Sequence, residues 1–379
     1  MKKTNVQNLP FIDLNSQQDL IRKNLNLAIN KVLSHGEFIM GPEVLRVEEI
    51  LAERSSTNYC ITCGSGTDAL TIPLMAANIS KDDVVFVPSF TFTSSAEVIA
   101  LRGATPFFVD INHRTFNIDP ESLELSIKEC IQYGGSPKAI ITVDLFGQPV
   151  DFDSIISIAE KYNLWILHDA AQSFGANYKS KPIGSFARVT ATSFYPSKPL
   201  GCYGDGGAIL TNDENLFKQM RSIRTHGYKD NTRKSDTLGL TSRFDSIQAA
   251  VLLEKLKIFD NECIKRNKVA EIYTQGLCDI LETPIVIKEA ESVWAQYTII
   301  SEQRDSISSY LSEKGIPTAL FYPFPLHLQK PFVGYPTPSK GLPITEKLAN
   351  QVLSLPMHPY LNEDAQYYII SAIREAIKG

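Results

Sequence analysis

From residue 58 onward, short apolar runs alternate with segments of helical pattern, and this alternation limits the possible folds more than any other feature. The runs are Tyr59–Thr62, Val84–Val87, Pro106–Val109, Ala139–Val143, Leu164–Leu167, Val189–Phe194 and Ala208–Leu210. Between them lie Thr67–Ala77, Ser94–Arg102, Pro120–Tyr133 and Phe152–Tyr162. Runs this short, apolar on both faces, suit strands covered on both sides, and the intervening helices supply the cover. The pattern predicts an α/β fold with a mostly parallel sheet. Before it, Ile21, Leu25, Ala28 and Val32 share one helical face that Gly36 ends, and Pro42–Glu53 reads as a second helix with proline in its first turn. After it, Asp245–Phe259 and Glu262–Leu281 read as two long helices, and Pro317, Pro323, Pro325, Pro331, Pro336 and Pro338 break the remainder into short elements. We therefore expect a large domain over residues 1–260 and a smaller C-terminal α+β domain over residues 261–379.

Charge and cysteine usage narrow the function classes. A net charge of -5 offers no basic surface for nucleic acid or acidic membrane, so neither is expected as a partner. The cysteines at 60, 63, 130, 202, 263 and 278 are scattered, which fits a reducing compartment. No apolar run reaches the roughly 18 residues of a membrane span, and the basic start lacks the apolar stretch of a signal peptide. The expectation is a cytoplasmic enzyme. Cys60 and Cys63 form a single C-x-x-C without the second pair a zinc site needs, and no metal motif is visible, so no metal is expected.

Ligands of such sheets bind beyond the carboxyl ends of the strands. Three segments place polar residues there. Gly64-Ser65-Gly66-Thr67 leads from a strand into a helix, and glycines at a helix start let an anion approach free N–H groups. The same residues, with Ala69, match the loose G-x-G-x-x-A dinucleotide pattern, but no acidic residue ends the next strand. Leu164–Leu167 delivers Asp169 to the sheet edge, where it can cap a helix, hold a metal or act as a base. Lys198 follows another strand inside Pro196-Ser197-Lys198-Pro199, an unusual setting for a residue type that is mostly solvated. A pyridoxal-phosphate site needs all three parts: a phosphate cradle, an acid facing the pyridinium nitrogen and an imine-forming lysine. Here they occur in that order.

These segments resemble the DegT family of nucleotide-sugar aminotransferases. Phe11–Leu14, Gly36–Glu43, Pro88–Phe92, Asp169–Gln172, Pro196–Lys198, Arg243–Asp245 and Pro325–His327 carry the likeness over nearly the whole chain. The resemblance implies the aspartate aminotransferase-type fold (fold type I) and pyridoxal 5'-phosphate as cofactor. It implies that Gly66, Thr67 and Ser193 hold the phosphate, Phe92 stacks on the ring, Asp169 meets the ring nitrogen and Gln172 the ring hydroxyl. Lys198 would be the Schiff-base lysine and proton shuttle. Relatives with histidine at that position are dehydratases, so lysine implies amino transfer. Arg243 would be donated by the partner of a homodimer with shared sites. Tyr322, His327 and His226 would contact substrate.

Two positions depart from the family pattern. Thr241 replaces an Asn that reaches the cofactor phosphate across the subunit boundary, and Phe321 replaces a frequent His. The implied reaction moves an amino group from L-glutamate to a nucleotide-linked keto sugar. The specific expectation is C3 of a UDP-2-acetamido-3-keto-hexuronate, in bacterial surface polysaccharide or O-antigen synthesis. The alternative is a dTDP- or UDP-linked 3-keto or 4-keto deoxysugar. Rivals are another pyridoxal-phosphate reaction, a non-catalytic regulator that binds the cofactor, and a nicotinamide dehydrogenase. A desulfurase would need a cysteine on a loop near the cofactor, and a regulator a DNA-binding appendage. His168 is read as packed and Gly204–Gly207 as a turn shaping the lysine loop.

Overall fold

All seven apolar runs form strands, and they pair into one sheet. The computed structural model describes residues 9–229 and 232–378. The chain runs α1 (Leu14–His35), α2 (Pro42–Arg54), β1 (Tyr59–Cys63), α3 (Gly66–Ala76), β2 (Asp83–Pro88), α4 (Ser94–Leu101), β3 (Thr105–Val109) and α5 (Pro120–Gln132). It continues through β4 (Ser136–Val143), α6 (Phe152–Lys161), β5 (Trp165–Asp169), the two-residue β6 (Asn177–Tyr178) and β7 (Lys181–Pro182), β8 (Val189–Ser193), β9 (Gly207–Thr211) and α7 (Glu214–Arg224). Then come α8 (Ser246–Leu277), β10 (Ala290–Glu291), β11 (Tyr297–Ile300), α9 (Arg304–Glu313), α10 (Pro343–Ala349), β12 (Val352–Leu355) and α11 (Glu363–Lys378).

The strand order is β1-β9-β8-β5-β4-β2-β3. The pairs β2–β3, β2–β4, β4–β5 and β5–β8 are parallel, while β9 runs antiparallel to both β8 and β1. Six strands therefore end at one edge, and β9 alone is reversed because the lysine loop turns the chain straight back from β8. That edge gathers Cys63, Pro88, Val109, Val143, Asp169 and Ser193.

The two helices expected around residue 260 are one. Helix α8 spans 32 residues without interruption, so residue 260 lies inside it. Asp260 and Asn261, read as a break, are tolerated as interior helix positions. Asp260 instead takes two hydrogen bonds from Arg54 at 2.7 and 2.8 Å. The first half of α8 packs Leu252, Leu256 and Phe259 under the large sheet. Its second half packs Val269, Tyr273 and Leu277 into a separate core with Tyr297, Leu311, Leu353 and Ile369. Helix α7 was not among the helical segments read from the sequence, although Leu216, Met220 and Ile223 recur on one face and are buried.

A buried polar seam ties the N-terminal segment to α8 and the C-terminal part. Gln17 Nε2 donates to both oxygens of Glu262 (2.9 and 3.0 Å), and the Tyr360 hydroxyl donates to the same carboxylate. Arg266 donates to Trp294 O (3.1 Å) and Met357 O (3.4 Å). Beside them His358 is 2% exposed, and neither ring nitrogen has a hydrogen-bond partner. Burial pushes its pKa down to about 4; Asp13 and the backbone of Pro10 act against this shift and the Arg266 guanidinium with it.

Between about pH 4 and 6.5 the unfolded chain therefore binds a proton at His358 that the folded chain refuses, so stability falls as pH drops through this window. The loss approaches roughly 3 kcal/mol at the low end. Urea midpoints should fall between pH 7.5 and 5, and His358→Phe should flatten that dependence. An unchanged slope in the variant would place the titration elsewhere.

Candidate active site

The first polar element is the mouth of α3. Ser65 caps the helix by accepting from Asp68 N at 3.0 Å, and the N–H groups of Gly66 and Thr67 donate to no described residue. They are left free because an α-helix cannot satisfy its first donors internally. A Cβ on Gly66 would lie 2.6 Å from Ser193 Cβ, so only glycine lets this helix start meet the end of β8. The mouth is fixed further by Ser242, whose hydroxyl donates to Asp68 Oδ2 (2.7 Å) and accepts from Gly64 N (3.1 Å). Thr67 Oγ1 and Ser94 Oγ lie 2.9 Å apart. Free N–H groups, three hydroxyls (Thr67, Ser94 and Ser193) and the positive end of a helix make a fitting cradle for a phosphate dianion.

Asp169 ends β5 and is 7% exposed. Its Oδ1 accepts from Ala171 N and its Oδ2 from Ser95 Oγ, both at 3.0 Å. Burial raises its pKa, and the two hydrogen bonds and the Lys198 charge pull it back down. Lys198 shifts the other way: burial lowers its pKa, opposed by Asp169. An amine eased toward its neutral form can attack a carbonyl. A desolvated carboxylate interacts strongly with any cation placed beside it. The Lys198 loop is held by Lys198 N→Tyr195 O (2.8 Å) and Cys202 N→Phe194 O (2.7 Å).

Gln172 is buried and oriented. Its Oε1 accepts from Phe146 N at 2.7 Å, and its Nε2 donates toward the Tyr322 hydroxyl at 3.3 Å. One amide hydrogen remains for a ring hydroxyl. Phe92 is 54% exposed at the sheet edge, a free face for a flat ring, with the Tyr322 ring 6.5 Å away. The buried carboxylate, open phosphate cradle, poised amine and free aromatic face together fit a phosphorylated pyridine aldehyde.

This constellation is matched by comparison with known proteins. The profile of the DegT/DnrJ/EryC1/StrS aminotransferase family matches residues 19–374. The chain belongs to this family. It is 46% identical to the UDP-2-acetamido-2-deoxy-3-oxo-D-glucuronate aminotransferase of Pseudomonas aeruginosa, over 96% of this chain and 99% of that one. A crystal structure of a DegT DnrJ EryC1 StrS aminotransferase from Brucella abortus superposes with a TM-score of 0.96 at 46% identity, covering 97% of this chain and 99% of that chain. The Bacillus subtilis protein NtdA, solved with bound cofactor PMP, superposes at 0.89 with 29% identity, covering all of this chain and 87% of its own. The DegT enzyme is thus an aminotransferase of the aspartate aminotransferase fold, and its cofactor is pyridoxal phosphate.

The remaining sequence-read residues fall into two groups. Tyr322 enters the site through Gln172. His327 does not: its Nδ1 meets Ser89 Oγ at 2.8 Å and its Nε2 meets Glu346 at 3.3 Å. Both nitrogens are engaged within the chain, so this histidine pins a loop to the end of β2 rather than standing free for substrate. His226 contacts Thr241 Oγ1 at 3.1 Å, beside Arg243 in sequence but at the base of the 225–241 excursion. Arg243 is exposed and makes no ion pair or hydrogen bond among the described residues, so the alternative of a clasp to Asp245 is not seen. His168 is packed as expected: it is fully buried, with Nε2 2.9 Å from Asp144. Sequence reading missed Ser94, Ser95, Phe146 and Ser242. Of these, only Ser94 and Ser95 had a signal, following directly on the Pro88–Phe92 motif.

Proposed function

We propose that this DegT enzyme moves the amino group of L-glutamate to C3 of a UDP-linked 2-acetamido-3-keto-hexuronate. The observation that carries the reading is the pairing of buried Asp169 and eased Lys198 on the strand-end edge that also holds the open mouth of α3. Gly66, Thr67 and Ser193 would hold the phosphate, Phe92 would face the ring, and Gln172 would meet the ring hydroxyl. The bound cofactor supplies an electron sink for the carbon that loses or gains nitrogen. Asp169 would hold a proton on the ring nitrogen. Lys198 would be the covalent attachment point and, once its amine is free, the base that carries a proton to and from the substrate carbon.

Likeness to the Pseudomonas enzyme over nearly both full lengths supports the uronate substrate. A homodimer with shared sites is supported by the exposed Phe38 and Ile39, which lie beside the Arg243 segment through the Ile39–Asp245 bridge. In that dimer a partner's Arg243 reaches the sugar, and its planar fork suits the C6 carboxylate. The cytoplasm, with its glutamate and nucleotide sugars, and surface-polysaccharide synthesis are the setting this substrate implies.

The test is an assay with glutamate and a panel of UDP- and dTDP-linked 3-keto and 4-keto sugars. A 4-keto or deoxy preference would overturn the uronate assignment. Arg243→Lys, which keeps the charge and loses the fork, should reduce the preference for uronate over its C6-hydroxymethyl counterpart by about 10-fold while the dimer persists on gel filtration. Equal loss on both sugars would remove Arg243 from carboxylate recognition.

A further inference from the structure

We propose that Phe11, in the N-terminal segment and outside the catalytic constellation, is a positioning residue that sets the place of Tyr322 and, through it, of Gln172. The inference rests on the cofactor and sugar reading above. It begins with how the Tyr322 loop is held. At one end Ala319 pairs with Ser354 through two backbone hydrogen bonds of 3.1 and 2.9 Å. At the other, Leu326 N donates to Ser89 O (3.0 Å), and the His327 ring and backbone both reach the Ser89 hydroxyl. Between these pins the main chain of residues 320–323 makes no hydrogen bond among the described residues. The position of Tyr322 is therefore decided by side chains.

Those side chains form a row of rings. Tyr322 packs edge-on to Phe90 (6.3 Å) and tilted to Phe92 (6.5 Å) on the cofactor side. Behind it stands Phe321 at 5.7 Å, and behind Phe321 stands Phe11 at 6.2 Å. Phe11 is the fixed end of the row, because its carbonyl accepts from Met357 N at 3.2 Å and Asp13, two residues on, caps α1. On the near end the Tyr322 hydroxyl takes the hydrogen bond of Gln172 Nε2. Phenylalanine at 321 suits this row: it offers a ring to Phe11 and no hydrogen bond that could tether the loop elsewhere.

Truncating Phe11 lets the row relax by a ring's thickness. Tyr322 then moves relative to the keto sugar, and Gln172 relative to the ring hydroxyl. Two readouts follow. In Phe11→Ala the KM for the keto sugar should rise about five- to tenfold, while the glutamate half-reaction stays within about twofold. The pH at which the bound cofactor changes colour should rise by about half a unit, because a hydrogen bond to the ring oxygen favours its charged form. In a Tyr322→Phe background, which cuts the hydrogen bond to Gln172 but keeps the ring, the Phe11 substitution should no longer move the colour midpoint.

Unchanged sugar KM and colour midpoint in Phe11→Ala, or a colour shift fully additive with that of Tyr322→Phe, would overturn the inference. A purely packing role would lower Tm and leave both readouts in place. Should Phe11→Ala fail to fold, Phe11→Leu carries the same measurements with a smaller expected shift. Absence of turnover by the wild type on every keto sugar would overturn the function but not this inference, which the colour titration decides with cofactor alone.

Discussion

Lys198→Ala should yield a folded protein without the yellow imine absorbance and without measurable turnover. The loss is expected to be the largest of any substitution in the chain, because in the proposed mechanism one side chain supplies both the covalent link and the mobile proton. The setting of Lys198 supports this. Its loop closes a hairpin between β8 and β9, and burial has already moved the amine toward its neutral form. Alanine leaves that loop intact, since it is held by backbone bonds of Lys198 N and Cys202 N. The check is an absorbance scan with added pyridoxal phosphate, followed by borohydride reduction and peptide mass mapping. A reduced adduct on the alanine variant would identify another lysine as the attachment point.

Asp169→Asn should fold, bind cofactor and turn over about 10²- to 10³-fold more slowly, equivalent to roughly 3–4 kcal/mol of barrier. The amide oxygen can still accept from Ala171 N, and the amide nitrogen can donate to the Ser95 hydroxyl with that bond reversed, so the architecture survives. It carries no charge with which to hold a proton on the ring nitrogen. Because Asp169 is buried, no water can compensate for the missing charge. The comparison to make is single-turnover rate with glutamate against cofactor affinity. Rates within a few fold of wild type would remove Asp169 from that role.

The parts of the fold visible in the sequence were those fixed by local pattern. Strands buried on both faces announce themselves as apolar runs, and a helix stop such as Gly36 is local. The continuity of α8 was not visible, because the polar pair Asp260-Asn261 resembles a break until Arg54, distant in sequence, is seen to hold it. The site divides the same way. Asp169, Lys198 and the α3 mouth stand directly after strands. The support of Gln172 by Phe146 N, or of Asp169 by Ser95, depends on which strands become neighbours. A polar residue in a family motif can also be a fastener: His327 ties a loop to Ser89 and Glu346, contacts that only the folded chain reveals.

Gly207 gives the site a division that bears on redesign. It sits between Cys63 of β1 and Ser193 of β8, and a Cβ there would come within 2.4 Å of Ser65 O. Phosphate mouth, Ser193 and reversed strand are thus wedged into one block with no room for even a methyl group. The Tyr322 loop, hung by side chains between two anchors, has no such constraint. A search for variants that accept new sugars should therefore sample positions 11 and 320–323 freely and leave 64–67, 193 and 207 untouched. In a combinatorial library spanning both regions, coloured but retargeted clones should come from the first set and colourless ones from the second.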